Sequence, residues 1–446
     1  MSDLTKGNIG STLLRFALPF LFASLLQALY GAADLFVVGQ FADSAAVSAV
    51  AIGSQVMQTI TGIILGISMG GTVLISRRIG EKNNEGTAIA IGSLSILFIM
   101  IAIVLTLLMI FATDSAITLM HTPEESVEYT RQYIMICATG IPFIIGYNAV
   151  SGIFRGIGDS KTPVYFVLIA CIINIVVDVV LVAVFELGAA GAAIATVLAQ
   201  AISFIVSLIY MIKKGFTFEI NRKHFKLDKE AVKQIVIVGF PLALQDALVN
   251  VSFLMITAVI NTLGLVASAA VGVVEKIIVF AMLPPTAFGS AVSAATAQNI
   301  GAGKTERAKK MLLYGIAYSL IFGIIATTYC QIWPETLTAI FSNDSDVIIV
   351  AGQYLKSFSI DCIMVSFIFC FNGYFSGNGK SVLSLIHSLI ATFGFRIPLT
   401  YLISKMADIT LYELGWAAPL SSLVSLLICF GYFYYQNRRS KLEVNL

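Results

Sequence analysis

The sequence has few charged residues for its length. They occupy 12% of the 446 positions, against about 25% in an ordinary soluble domain. Hydrophobic residues make up 58% of the chain, and the mean hydropathy is +0.91. Because a chain of this composition lacks the polar residues needed to cover a water-exposed surface, a soluble globular fold is excluded.

The sequence also has few of the groupings that mark metal centres, disulfides or nucleotide sites. The six cysteines all fall in apolar stretches without a C-x-x-C pair, which indicates buried thiols. His121, His224 and His387 are scattered along the chain, so they predict no metal centre. The segment NIGAGKT at 299–305 resembles a phosphate loop, but Gln298 stands where its first glycine is required. We expect no cofactor and no nucleic-acid partner.

Apolar stretches long enough to cross a bilayer as helices recur along the chain. They are far longer than barrel strands and lack a period of two, so they indicate helices. The sequence therefore predicts an all-α polytopic membrane protein with twelve transmembrane helices. Their centres lie near residues 26, 62, 99, 143, 174, 200, 247, 282, 321, 361, 393 and 424.

Basic residues are distributed unevenly between the connections. With the N-terminus placed inside the cell, alternate connections carry most of the 27 lysine and arginine residues, including Arg155, Lys161 and the dense group from Lys213 to Lys233. The opposite connections are acidic or uncharged, as at residues 114–128. Since lysine and arginine are retained on the cytoplasmic side, the sequence predicts that both termini are cytoplasmic.

The second half of the chain repeats the first. FRGIGDS at 154–160 matches FSGNGKS at 375–381, and RRIGEKNNE at 77–85 matches QNIGAGKTE at 298–306. The offset is 221 or 222 residues over most of the chain. We therefore predict an N-lobe at residues 1–212, a cytoplasmic linker at 213–233 and a C-lobe at 234–446.

Each predicted lobe contains six spans, so both lobes enter the membrane from the same side. This predicts two six-helix lobes related by a pseudo-twofold axis along the membrane normal, as in transporters built from parallel repeats. We expect a binding site between the lobes that opens alternately to the two sides. A repeat that provides structural symmetry alone, as in a channel, is the alternative.

Polar residues interrupt several of the apolar stretches of the first half. Asn174 and Asp178 are four positions apart in span 5, so they share one helix face. A carboxylate at membrane depth is costly and marks a functional site by default. At about 1.5 Å per residue, Thr196 lies at the depth of Asp178, Asp34 lies in the outer part of span 1, and Asn148 lies nearer the cytoplasmic end.

These side chains offer carboxylate, carboxamide and hydroxyl oxygens, which are suitable ligands for Na⁺. Burial and a second nearby carboxylate also favour the protonated form of a carboxyl group. The sequence thus predicts a cluster that binds a coupling ion, H⁺ or Na⁺, and no other metal site. A purely structural role of Asp34 and Asp178 is the alternative.

The second half has its own charged residues within spans 7, 8, 10 and 11. Counting residues along each span places Asp361 at a membrane depth comparable to that of Arg396. It also places Asp246 within reach of Lys276, which directly follows Glu275. Structural or gating ion pairs are the simpler interpretation, and contact with a charged substrate is the alternative.

A proline and several methionines are further candidates for a functional role. Pro19, inside span 1, removes a backbone hydrogen bond and favours a kink. Met57 and Met282 could line an adaptable apolar cavity, although packing or lipid contact is the simpler role for each.

Several of these features together resemble the multidrug and toxic compound extrusion (MATE) transporters. The resemblance covers the whole chain and includes Pro19 ahead of Asp34, the Arg78-Ile-Gly80 turn, the run from Gln298 to Gly303 and the turn from Gly158 to Pro163. It implies efflux of organic, often cationic or amphipathic small molecules by an antiporter, a bacterial plasma membrane and alternating access.

The resemblance also assigns roles to individual residues. It carries the cation site of the first lobe onto Asp34, Asn148, Asn174, Asp178 and Thr196, and it marks Pro19 as a hinge of span 1. Cation binding at this site would let span 1 shift and release the drug. The resemblance provides no match for a second ion site in the C-lobe.

Two other functions fit parts of the pattern. A lipid-linked saccharide flippase of the same wider superfamily shares the two-lobe plan, but it would need more basic residues than Lys276 and Arg396 facing its cavity. A membrane-embedded aspartyl protease would need a motif that Asp178, in NIVVDVV, does not supply. We therefore expect that the protein is not an enzyme. We also expect that it is a monomer within the lipid bilayer.

Overall fold

The computed structural model describes residues 3–216, 218–406 and 409–444, with side chains as far as residue 439. Every regular element in these ranges is helical. Eleven of the described helices are long and apolar enough to cross a membrane, and a bent pair gives a twelfth span. The prediction of an all-α polytopic membrane protein is confirmed.

The described residues divide into two compact units. Unit 1 consists of Met1–Gly7, Arg15–Ala243 and Ala297–Lys304. A π-helical turn at Val179–Val184 continues its fifth helix. The helices that lie wholly or mostly in unit 1 are α1 (Ile9–Phe41), α2 (Ser44–Gly80), α3 (Asn84–Leu119), α4 (Val127–Gly156), α5 (Lys161–Asp178) and α6 (Gly188–Lys214).

Unit 2 consists of Asn8–Leu14, Leu244–Thr296 and Thr305–Leu446. The helix α7 (Lys229–Asn261) begins in unit 1 and ends in unit 2, and α8 (Leu265–Gly301) does the reverse. The remaining helices are α9 (Thr305–Ile332), α10 (Pro334–Thr338), α11 (Ser345–Phe358), α12 (Asp361–Gly377), α13 (Ser381–Ala391), α14 (Ile397–Ser404), α15 (Leu411–Gly415) and α16 (Ala417–Val444).

The tenth span is not one straight helix. The helices α11 and α12 meet at a bend of 47°, and Asp361 is the first residue of α12. The eleventh span also departs from a regular α-helix, because a π-helical turn at Thr392–Arg396 separates α13 from α14. The candidate residues Asp361 and Arg396 thus lie where the helices of unit 2 are irregular.

A ladder of hydrogen bonds joins α2 to α4. The hydroxyl groups of Ser68, Thr72 and Ser76 donate to backbone oxygens of α4, at 2.9, 3.1 and 3.0 Å. The acceptors are likewise four positions apart, and two of them are Gly152 and Gly156. A spacing of four keeps all these groups on the facing sides of the two helices, so the pair is held together by polar contacts within an apolar unit.

The glycine-containing segments after α4 and α12 form turns. Gly158 and Gly379 occupy matching positions after α4 and α12 with φ angles of +85° and +75°, a region that favours glycine. Asp159 in the first of these turns accepts hydrogen bonds from Thr162 and Lys214. Burial raises the pKa of Asp159, but these bonds outweigh it and hold the pKa below its ordinary value of 3.8.

The ends of α2 and α8 cross closely within unit 1. A Cβ atom on Gly80 would overlap the backbone oxygen of Gln298, and one on Gly301 would overlap that of Arg77. The N-terminal segment binds the same place, since Leu4 donates its N–H to the Gln298 side chain at 2.7 Å and accepts from Asn299 at 3.1 Å. The segment around 299–305 is therefore a structural crossing and turn.

Candidate functional site

The helices α1, α5 and α6 bring polar side chains together inside unit 1. Asp34, on α1, is 4% exposed, and Asn174 and Asp178 of α5 are fully buried. Thr196 of α6 donates its hydroxyl hydrogen to Asp34 Oδ2 at 3.1 Å. The spacing of Asn174 and Asp178 places both on the helix face that points inward, because the neighbouring exposed positions of α5 are apolar.

The two carboxyl groups are close enough to influence each other. Asp178 and Asn174 both lie against the Asp34 carboxyl group. Even so, Asp34 Oδ1, both carboxyl oxygens of Asp178 and both amide atoms of Asn174 are buried without a hydrogen bond to any described residue. Buried polar atoms are nearly always satisfied, so this donor set fits a bound cation or a shared proton.

Asn148 is the fifth residue of the predicted cation site, and its side chain is engaged elsewhere. Its Nδ2 donates to the backbone oxygen of Ile144, one turn earlier in α4, at 2.8 Å. Its backbone oxygen accepts from Ser68. None of the hydrogen bonds between described residues joins its amide to Asp34 or Asp178. A role for Asn148 in cation binding stays a prediction.

Two residues beside the cluster were not anticipated from the sequence. Tyr30 lies near the Asp34 carboxyl group, and Gln200 donates from Nε2 to the Tyr30 hydroxyl at 3.3 Å. The signal was present, because each of three helices carries a polar pair four positions apart: Tyr30 with Asp34, Asn174 with Asp178, and Thr196 with Gln200. A search for this spacing, without regard to charge, would have found them.

Three of the charged candidates of the second half lie close together within unit 2. Asp361 is buried and Glu275 is half-buried. Both interact electrostatically with Arg396. The Arg396 guanidinium lies over the rings of Phe253 and Phe358, at 4.7 and 5.6 Å from their centroids.

Asp246 and Lys276 are the other two charged candidates, and both are exposed. No ion pair among the described residues joins them within 4 Å, so the reach from Asp246 to Lys276 stays a prediction.

The remaining candidates lie in continuous helices. Pro19 is inside α1, which continues through it. Met57 is buried in α2 and packs in the apolar core of unit 1, while Met282 of α8 is half-buried beside the core of unit 2. Over the described residues, no group of three or more histidine, cysteine, aspartate or glutamate side chains could hold a metal ion.

Comparison with curated proteins yields relatives over nearly the full length. The chain is 29% identical over 440 residues to "Probable multidrug resistance protein YpnP" of Bacillus subtilis (strain 168), covering 98% of this chain and 97% of the relative. It is 23% identical over 432 residues to "Multidrug export protein MepA" of Staphylococcus saprophyticus, covering 95% and 94%.

Comparison with solved structures supports the fold. A structure described as "Outward-facing conformation of a multidrug resistance MATE family transporter of the MOP superfamily" superimposes with a TM-score of 0.92 at 22% identity, covering 99% of this chain and 98% of the other. At this identity the likeness establishes the fold alone.

The family model MatE matches the chain twice, at residues 19–180 and 241–402. The second match is displaced by 222 residues, which is the offset of the internal repeat. Both matches together cover more than half of the chain, and the first contains Asp34, Asn174 and Asp178. The chain is a multi-pass membrane protein that belongs to the MatE family.

Proposed function

We propose that this protein exports organic small molecules in exchange for a cation, H⁺ or Na⁺, that binds at the cluster of Asp34, Asn174, Asp178 and Thr196. The observation that carries the proposal is the set of buried carboxyl and amide atoms without a hydrogen-bonding partner among the described residues. A transported cation would satisfy these atoms while bound and leave them unsatisfied after release.

The coupling step follows from the charge of the cluster. Two carboxylates in a buried site repel each other, and one bound H⁺ or Na⁺ removes most of that repulsion. Asp34 lies on α1, whereas Asp178 and Thr196 lie on α5 and α6. Binding of the cation therefore changes the force between α1 and its neighbours. We propose that α1 shifts in response, with Pro19 as its hinge, and that this shift releases the exported compound.

The class of exported compound is proposed from the relatives. Both curated relatives carry names that refer to multidrug resistance or multidrug export, and we extend that activity to this chain. We propose amphipathic, often cationic, organic substrates. We further propose that the protein is a monomer in a bacterial plasma membrane, with both termini in the cytoplasm and alternating access as its mode of transport.

The first test is uptake of a fluorescent cationic dye into inside-out vesicles under an imposed Na⁺ gradient, an imposed H⁺ gradient, or neither. Asp178→Asn preserves the size of the side chain but removes its charge, so we expect gradient-driven uptake to fall at least tenfold. Asp114→Asn is the matched control, because Asp114 is an exposed residue of unit 1 outside the cluster.

The wild-type result identifies the coupling ion. Uptake that responds to one gradient and is lost only in Asp178→Asn would support the proposal. Equal uptake by Asp178→Asn and wild type, with both proteins present in the membrane at similar amounts, would refute the assignment of the cluster. Absence of dye movement under either gradient would argue against cation-coupled dye export.

A further inference from the structure

A buried arginine lies in unit 1, away from the cation cluster. Counting along the sequence places Arg155 in a basic connection, but the structure places it in the last turn of α4 with only 8% of its surface exposed. None of the salt bridges between described residues includes it. Its charge therefore lies inside the unit without a carboxylate to balance it.

The surroundings of Arg155 are aromatic and hydroxylic. The guanidinium carbon lies 5.2 Å from the ring centroid of Phe20, and one terminal nitrogen donates to Ser68 Oγ at 3.4 Å. Tyr147 is near enough to interact with its charge. The Nε atom is buried without a hydrogen-bonding partner among the described residues. The bond to Ser68 is long and its acceptor is uncharged, so most of the donor capacity of the guanidinium is unused.

The side chain extends away from the end of its helix. Long side chains in helices point toward the N-terminus, and Ser68, which Arg155 reaches, also donates to the backbone oxygen of Asn148, about two turns earlier in α4. The guanidinium thus lies well inside the helical part of the unit. An isolated charge at such a place is costly unless an opposite charge accompanies it.

The internal repeat indicates that the fold does not need this arginine. In the matching segment of the second half, FSGNGKS, Ser376 stands in the place of Arg155. Ser376 is buried in the last turn of α12 and donates to Asn372 of its own helix at 2.6 Å. A small hydroxyl side chain is sufficient at this position of the scaffold, so the charge at Arg155 calls for a separate explanation.

We propose that Arg155 is a binding site for an oxyanion, a carboxylate or phosphate carried by an amphipathic ligand, with Phe20 providing a flat apolar contact beside it. The Nε–H and a terminal N–H of an arginine point in the same direction and hold such a group by two parallel hydrogen bonds. This inference rests on the proposed export function, and it adds zwitterionic and anionic amphipaths to the cationic substrates.

The test compares two dyes that differ by one carboxylate. Tetramethylrhodamine has a free carboxylate, and its methyl ester has the same cationic ring system without it. Binding of each dye to the purified full-length protein in dodecyl maltoside micelles, which carry no phosphate or carboxylate, is measured by fluorescence anisotropy, and the result is the ratio of the two Kd values. We expect wild type to bind the acid at least tenfold more tightly than the ester.

Variants of Arg155 test whether this residue causes the preference for the acid. Arg155→Met keeps the length of the side chain without the charge, and we expect its Kd ratio to fall to about one. Arg155→Lys keeps the charge but cannot form two parallel bonds, so an intermediate ratio is expected. Arg131→Met is the control, because Arg131 is an exposed arginine of the same unit. Thermal unfolding of each purified variant establishes that it is folded.

Two outcomes overturn the proposal: a wild-type ratio near one, or an unchanged ratio in folded Arg155→Met. Adding phosphatidylglycerol to the phosphate-free micelles identifies the source of the oxyanion. If the preference for the acid then disappears in wild type, the site holds a lipid phosphate, and if it persists, the site holds the solute carboxylate. Because binding is measured without a gradient, the Kd ratio tests the oxyanion site even if coupled transport is not observed.

Discussion

At the scale of single residues, Thr196 makes the one hydrogen bond between the described side chains of the cation cluster. Its hydroxyl donates to Asp34 Oδ2, while the other polar side-chain atoms of Asp34, Asn174 and Asp178 have no hydrogen-bonding partner among the described residues. The bond fixes Oδ2 of the carboxyl group, while Oδ1 is buried without a hydrogen-bonding partner among the described residues. A hydroxyl group also offers lone pairs, so Thr196 can orient Asp34 and act as a ligand itself.

Replacing Thr196 by valine tests this role. The change keeps the shape of the side chain but removes the hydroxyl, and loss of a hydrogen bond to a charged group costs about 1.5–3 kcal/mol. We expect the apparent affinity for the coupling ion, measured from the ion dependence of dye uptake, to fall tenfold or more. Thr196→Ser retains the hydroxyl and should stay within threefold of wild type. Equal affinities in Thr196→Val and wild type would contradict the assignment.

The sequence predicted part of this site and missed the rest for physical reasons. A carboxylate inside an apolar stretch is conspicuous, and the interval between Asn174 and Asp178 fixes their common face. Tyr30 and Gln200 are uncharged, so they do not stand out in a hydropathy profile as buried charges do. Arg155 was misplaced because it stands at the end of a span, where the sequence alone does not tell whether its long side chain points to water or back along the helix.

At the scale of helices, the backbones of α2 and α8 approach each other closely where they cross in unit 1. Gly80 and Gly301 each face a backbone oxygen of the other helix. Small residues let the backbones of membrane helices meet directly. The segment at 299–305 forms this crossing and its turn. Close packing and the turn therefore explain its glycines, and no phosphate loop is needed to account for them.

A methyl group at this crossing should destabilise the protein. Gly301→Ala would place its Cβ against the backbone oxygen of Arg77, and overpacking of this kind costs about 1–3 kcal/mol. We expect a lower midpoint of thermal unfolding in detergent. Gly431→Ala is the control, since a Cβ at Gly431 meets no other atom and alanine is favoured over glycine in a helix by up to about 1 kcal/mol. Equal midpoints for both variants would argue against the close crossing.

The sequence predicted the spans better than their internal shape. Membrane length and hydropathy locate a span, and eleven described helices plus one bent pair meet both criteria. They do not predict where a span breaks. The bend between α11 and α12 falls at Ser359 and Ile360. Neither residue is a glycine or a proline, so we attribute the bend to tertiary packing.

At the scale of the whole molecule, the repeat and the charge distribution predict the orientation of the protein. Twelve spans would place both termini on one side, and the lysine- and arginine-rich connections predict that this side is the cytoplasm. The six native cysteines are all buried, which gives a low background for labelling of introduced cysteines by a membrane-impermeant maleimide.

Single cysteine substitutions test the orientation. Lys223 and Glu125 are both exposed, the first in the predicted cytoplasmic linker and the second between α3 and α4. We expect Lys223→Cys to be labelled in inside-out vesicles and Glu125→Cys in intact cells, with little labelling of wild type in either. Labelling of both variants from the same side would show that the predicted orientation or span count is wrong.

The helix α1 contributes to both proposed sites, through Asp34 to the cation cluster and through Phe20 to the oxyanion site. Residues 20 and 34 are separated by about 21 Å along the helix axis, farther than a single dye molecule extends. The two ligands therefore do not compete for the same space. The helix α1 is the element that they share, so any antagonism between them would be a linkage between sites, with each ligand weakening the other by the same factor.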